Sequence, residues 1–368
     1  MKKLLCAVFA VLILLAGCSQ NKNVIAEYES PDRLPSCYAR LYPEKSGDGR
    51  YAVLLRKFDG IETHIAVSDG LNGEPQTVYS LPDGTFAYEL AAGGGLIAFY
   101  QLTSYTDGSV NYTLKIIDTE NGNKVHSPYS KTVSDAKETQ TRFLTVFGGA
   151  VYYLTASVKL GRCRVMKYDT KTEELSEFLS VDFTDNEITN GHSCTFISGR
   201  EGYLTCGVVS GSVYTLKTYN MRTGSLIAEK QAPGNVGMIF YADYDRMTGI
   251  YALYYAQKGD GSKGDERVGV MTASSEYVTD VFTNLDNAYI CRDAVTVYNN
   301  LICFNVEAAE KTDGYESFYG VLVNITDGSD TAFRGSLQLL IEDNDIYSLS
   351  FAKNKGYEKV TVSRTEIR

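Results

Sequence analysis

The strongest constraint in this chain is a repeat. An apolar run closing on Asp, Asn or Thr appears as His64-Ile65-Ala66-Val67-Ser68-Asp69-Gly70, Leu114-Lys115-Ile116-Ile117-Asp118-Thr119, Val165-Met166-Lys167-Tyr168-Asp169-Thr170 and Leu216-Lys217-Thr218-Tyr219-Asn220-Met221. Weaker copies are Val268-Gly269-Val270-Met271-Thr272 and Val321-Leu322-Val323-Asn324-Ile325-Thr326. Val67, Asp118, Asp169, Asn220 and Met271 share one constant spacing, and Asn324 follows two residues late. A period of about fifty residues points to stacked copies of one supersecondary unit.

Each copy follows two more β-rich runs joined by a turn. Arg142 to Phe147 passes through Gly148-Gly149 into Val151 to Ala156, a hairpin signal. The same unit recurs at Thr195 to Ile197 with Tyr203 to Thr205, and at Val295 to Val297 with Leu301 to Phe304 across Asn299-Asn300. Gly93-Gly94-Gly95 has no following Lys-Ser/Thr and precedes a strand, so it reads as a hairpin turn and not a phosphate loop. No long stretch has the helical period, so the expected fold class is all-β. A three- or four-stranded unit cannot bury both faces alone and must stack on its copies; radial stacking gives a β-propeller. Seven strand triplets start near Ser36, Thr85, Thr139, Thr189, Asn235, Asp286 and Ser336. The expectation is a seven-bladed propeller of four-stranded antiparallel blades, one domain over residues 24–368. The seventh triplet lacks an outer strand, and Asn23 to Tyr28 is expected to supply it and close the ring. A six-bladed ring with a flanking hairpin is the alternative.

Ahead of that segment stands a leader. Lys2 and Lys3 precede an apolar run from Leu4 to Leu15, too short to span a bilayer but suited to a secretory signal. Leu15-Ala16-Gly17-Cys18 follows at once and resembles the lipobox of bacterial lipoproteins. That resemblance implies a signal peptide over residues 1–17, lipidation (diacylglycerol, palmitate-type acyl chains) at Cys18, a tether over 18–23, and a cell-membrane location on the extracytoplasmic side. The turns Tyr168-Asp169-Thr170 and Asp118-Thr119-Glu120-Asn121-Gly122 resemble those of YVTN/quinoprotein-like and low-density-lipoprotein-receptor-like propellers. This likeness implies a fold and no activity. Quinone-dependent dehydrogenases on this architecture carry Trp-rich docking motifs, and this chain has no Trp.

A formal net charge of −10 argues against a nucleic-acid partner, which demands clustered Lys and Arg. His64, His126 and His192 sit in separate repeats without zinc spacing, and no metal or other cofactor is expected. His64 reads as a solvated or hydrogen-bonded strand residue. Asp260 to Glu266 resembles a calcium loop only loosely, with Met271 where a bidentate Glu belongs. With Cys18 lipidated, Cys37, Cys163, Cys194, Cys206, Cys291 and Cys303 remain. Cys194 and Cys206 could face each other across a hairpin, whereas the turn at Asn299-Asn300 sets Cys303 opposite Thr296. Small buried hydrophobes are the favoured reading of all six. Asp243-Tyr244-Asp245 offers two carboxylates, read as a solvated turn in preference to a catalytic pair.

No acid, base and nucleophile constellation emerges, so the chain is read as a non-enzyme. The loops expected between second and third strands are long in three repeats, and long loops on a rigid scaffold carry binding residues. They nominate Tyr105, Asp107, Lys258, Asp260, Lys263, Asp265, Lys311, Asp313 and Tyr315 as a ligand face. The expected partner is a protein at the cell envelope, the chain acting as a scaffold; a glycan or peptide stacked on tyrosines is the alternative.

Overall fold

The middle strand of nearly every repeat is apolar on both faces, as in Leu96-Ile97-Ala98-Phe99-Tyr100 and Val151-Tyr152-Tyr153-Leu154, so each sheet needs a cover on either side. The computed structural model of the chain shows how that cover is supplied. It describes residues 23–30, 50–56, 63–69, 76–106, 109–133, 143–157, 162–182, 193–210, 213–257, 266–283, 288–290, 295–308, 318–342, 345–354 and 357–366. All regular structure among them is β.

Strand β1 (Asn23–Ser30) stands apart from the chain order taken up below. The first sheet is β2 (Arg50–Arg56), β3 (Thr63–Asp69) and β4 (Gln76–Ser80). The second is β5 (Thr85–Gly93), β6 (Leu96–Ser104), β7 (Val110–Asp118) and β8 (Lys124–Val133). The third is β9 (Leu144–Phe147), β10 (Ala150–Ser157), β11 (Arg162–Asp169) and β12 (Glu174–Asp182). The fourth is β13 (Ser193–Arg200), β14 (Tyr203–Ser210), β15 (Val213–Asn220) and β16 (Leu226–Gln231). The fifth is β17 (Val236–Asp245), β18 (Ile250–Gln257), β19 (Glu266–Thr272) and β20 (Thr279–Thr283). In the sixth, β21 (Ala288–Ile290) and β22 (Thr296–Tyr298) both pair with β23 (Leu301–Ala308), followed by β24 (Phe318–Asn324) and β25 (Asp330–Arg334). The last sheet holds β26 (Ser336–Glu342), β27 (Asp345–Asn354) and β28 (Tyr357–Glu366), with β1 antiparallel to β28 as its outer strand. The start of the first triplet near Ser36 lies outside the described residues.

Consecutive sheets pack face to face, and the period-two alternation splits neighbouring residues between two layers. Tyr153 joins Tyr100, Leu114 and Ile116 of the second sheet. Tyr152, one residue before it, joins Leu204, Cys206 and Met221 of the fourth. Similar layers join the first sheet to the second, the fourth to the fifth, the fifth to the sixth and the sixth to the seventh. The first strands line up in chain order, β5 on β9, β9 on β13, β13 on β17, β17 on β22 and β22 on β26. This is the radial arrangement of a propeller.

The repeated Asp/Asn has a mechanical task. Asp118, Asp169 and Asn220 each accept two backbone N–H groups of the turn leading to the outer strand, through Oδ1. The next residue ties that turn to the first hairpin of the same sheet: the N–H groups of Thr119, Thr170, Met221 and Ile325 donate to the carbonyls of Gly95, Gly149, Gly202 and Asn300. The hairpins themselves are two-residue turns; Gly148 and Gly149 have φ of 61° and 80°, a geometry in which side chains are strained. Two of the equally spaced residues are not equivalent in the sheets. Asp69 pairs with Arg50 and Thr272 with Ile250 as Asp118 does with Leu96, so they replace Val67 and Met271 as the structural counterparts. Unequal loops offset one another, which keeps a spacing constant while the register moves.

Close approach of first strands demands Gly199 in β13, where a Cβ would lie 2.1 Å from Thr145 Oγ1 of β9. Gly199→Ala is expected to lower stability by about 1–3 kcal/mol through overpacking. Urea denaturation checks it, and Thr145→Ala in the same chain should recover only part, since Thr145 Cβ itself would sit 2.6 Å away.

Candidate functional site

Two opposite ends of the sheets have different characters. At one end lie the turns between first and second strands and between third and fourth strands, short and cross-tied as above. At the other lie the connections between second and third strands and between sheets. On this second end Tyr105 is 48% exposed, on a loop closed by its N–H donating to Ser109 carbonyl at 2.9 Å. Asp107, Lys258, Asp260, Lys263, Asp265, Lys311, Asp313 and Tyr315 lie outside the described residues, as does Cys18. Tyr105 is therefore the one candidate whose placement the structure gives.

The most concentrated polar chemistry among the described residues is elsewhere, between the first strands of four successive sheets. Arg200 ends β13, and its Nη1 donates to Asp243 Oδ2 of β17 at 3.0 Å and to the Val297 carbonyl of β22. Its Nη2 donates to the Ile341 carbonyl of β26 at 3.0 Å. Asp243 Oδ2 also accepts the Val297 N–H at 2.9 Å, and the Tyr298 ring lies 5.5 Å from the guanidinium carbon. Ser198 Oγ donates to the Ala242 carbonyl, and Asn305 Oδ1 accepts the Leu339 N–H, extending the same set of ties. Burial opposes the charge on Arg200, yet the attraction and hydrogen bond of Asp243 outweigh it and the guanidinium is held above its ordinary range. Arg200 Nη1 and Nη2 and Asp243 Oδ2 are all engaged by the chain itself, so the cluster works as an internal clamp.

The reading of Asp243-Tyr244-Asp245 as a solvated turn is corrected. Both carboxylates are buried, at 4% and 6% exposure. Asp243 is held by Arg200, while Asp245 accepts the Met247 N–H and the Thr248 hydroxyl and shapes the four-residue turn into β18. They take one side of the strand, as the alternation requires, but serve different partners.

Cys303 pairs with Thr296, the register expected from the Asn299-Asn300 turn, with Thr296 Oγ1 2.7 Å from its sulfur. Burial pushes the Cys303 thiol up to about 12, so it carries no thiolate at neutral pH and is a poor nucleophile. Cys206 is an unbridged buried thiol, and Cys194 pairs with Val208 instead. The hairpin turns at Glu201-Gly202, off the midpoint between the two cysteines, which removes the facing geometry.

His64 is a strand residue with Nδ1 3.0 Å from Ser80 Oγ. His126 is buried in β8 with Nδ1 3.1 Å from the Tyr168 hydroxyl of the next sheet. His192 lies outside the described residues. Among the described residues no three His, Cys, Asp or Glu side chains converge as a metal site.

This geometry has counterparts among solved structures. The β-propeller domain of the Trilobed protease from Pyrococcus furiosus, described as having an open velcro topology, aligns with a TM-score of 0.54 at 11% identity, over 91% of this chain and 97% of that one. A chain from work on two prolyl endopeptidases also scores 0.54, at 10% identity, over 90% of this chain and 50% of that one. The present chain thus spans about half of that second protein's length. TolB from Acinetobacter baumannii aligns at 0.43 and 13% identity over 87% of this chain and 81% of that one, a likeness that carries no argument. No family model and no curated protein sequence matches the chain. Identities this low speak for the fold alone: the chain is a β-propeller.

Proposed function

We propose that the chain is a lipid-anchored, extracytoplasmic propeller that binds and scaffolds a protein partner at the cell envelope. Its seven sheets form seven blades, and β1 closes the ring by lending the last sheet its outer strand. The anchor is Cys18, on the strength of Leu15-Ala16-Gly17-Cys18 behind its apolar run. It acts by binding and not by catalysis, and it needs no cofactor.

The observation that carries the binding reading is Tyr105. A large aromatic half exposed on a hydrogen-bonded loop, at the end of the sheets opposite the cross-tied turns, is the kind of rigid, amphipathic anchor that dominates protein interfaces. The same ring would also stack on a sugar, which keeps a glycan as the second reading.

Photo-crosslinking in intact cells tests the choice. A photoreactive residue at Tyr105 and another at Lys263 are expected to give a discrete protein adduct, while one at Val125, exposed at the other end of its sheet, gives none. Loss of the protein adduct at both loop sites would overturn the protein reading and direct the work to a carbohydrate array.

A further inference from the structure

The register of β1 bears on how an anchored propeller stands on its membrane. Asn23 pairs with Arg364, and Ser30 with Glu358. Within the same sheet Glu366 pairs with Asp345, which follows the first hairpin, whereas Tyr357 pairs with Asn354 at the loop end. So β1 begins at the tight-turn end and runs towards the loop end. Only the four residues 19–22 separate Cys18 from Asn23, a reach of at most about 18 Å.

Exposed apolar side chains favour the same end. Of nine large hydrophobic side chains exposed among the described residues, Val125, Leu175, Leu226, Ile227, Met247 and Tyr277 lie at or beside the tight turns. Val125, Leu175 and Leu226 begin the outer strands of three successive sheets, and Met247 and Tyr277, the most exposed at 81% and 71%, occupy two turns at one end of the fifth. Tyr105, Val213 and Met238 lie towards the loop end. Apolar tips and a tyrosine suit the amphipathic headgroup region of a bilayer.

We propose that the tight-turn face is apposed to the lipid surface of the membrane, within reach of the short tether, and that the loop face carrying Tyr105 points away from it. This rests on the anchoring of Cys18 and adds the orientation. The face next to lipid is the one whose turn backbone is tied internally through Asp118, Asp169 and Asn220. The face turned outward is the one free to meet a partner.

The experiment holds the chain at residue 18 without relying on the cell's lipid. A hexahistidine segment replaces residues 1–18 and binds a nickel-chelating lipid in phosphatidylcholine vesicles that also carry a headgroup quencher. An azide-bearing residue, at Met247 in one preparation and at Tyr105 in another, takes the same dye. The two ends of an eight-residue strand lie roughly 25 Å apart, so the dye at Met247 is expected to be quenched several-fold more strongly than the dye at Tyr105. Equal quenching, or stronger quenching at Tyr105, overturns the orientation. An unlipidated Cys18 in cells would overturn the anchoring instead, and mass analysis of the membrane fraction reads that separately.

Discussion

Replacing Arg200 with Met is expected to cost about 3–5 kcal/mol of folding stability, the range for breaking one partner out of a buried ion pair. The loss has several parts. Asp243, 5% exposed at its side chain, keeps the Val297 N–H but loses its counter-charge, and the carbonyls of Val297 and Ile341 lose a donor. The four strands involved belong to four successive sheets, so the damage reaches well beyond one blade. Arg200→Lys should fall between, because an ammonium is a point charge and cannot serve three acceptors from a planar fork. Arg200→Met with Asp243→Leu should recover much of the loss, since no uncompensated charge then remains. Urea denaturation at constant m-value checks all three; a loss below about 1 kcal/mol in Arg200→Met would mean the clamp is dispensable.

Removing residues 23–30 while retaining the tether should lower Tm by roughly 10 °C, from several kcal/mol of lost pairing at roughly 2 °C per kcal/mol in a chain of this size. Seven residue pairs link β1 to β28, with one register shift between Val24 and Ala26. Without them β28 becomes a ten-residue edge strand, and such edges recruit other chains. The shortened protein should therefore also self-associate at concentrations where the full chain is monomeric. A peptide of residues 23–30 added in excess should restore part of both properties by re-pairing. Scanning calorimetry and light scattering read the outcome, and an unchanged Tm with a monodisperse monomer would contradict a closing role for β1.

The parts of this fold that could be read from sequence are those fixed within a few residues. Gly148-Gly149 and Asn299-Asn300 set two-residue hairpins, and Asp118, Asp169 and Asn220 cap the next turn, because each acts on backbone groups two or three positions away. The outer strand lent by Asn23 to Ser30 could be inferred because the last triplet came up one strand short. What the sequence concealed depends on register between repeats. Arg200 and Asp243 lie in adjacent sheets and meet only because Arg200 ends one first strand while Asp243 lies two residues from the end of the next, and nothing in either local pattern announces a partner. The same blindness misplaced Met271 and Val67 by a residue or two, and it made Cys194 and Cys206 look opposed when the hairpin turns off their midpoint. Of the candidate ligand face, the structure adds the loop geometry and exposure of Tyr105 alone.

Membrane attachment through Cys18 underlies both the proposed function and the proposed orientation. Its direct test is intact-mass analysis of the amino-terminal peptide from the membrane fraction, beside fractionation of Cys18→Ala. The expected result is a peptide beginning at Cys18 with acyl mass added, and a Cys18→Ala protein that leaves the membrane. An unmodified Cys18 thiol, or a Cys18→Ala chain that stays as firmly bound, would contradict it.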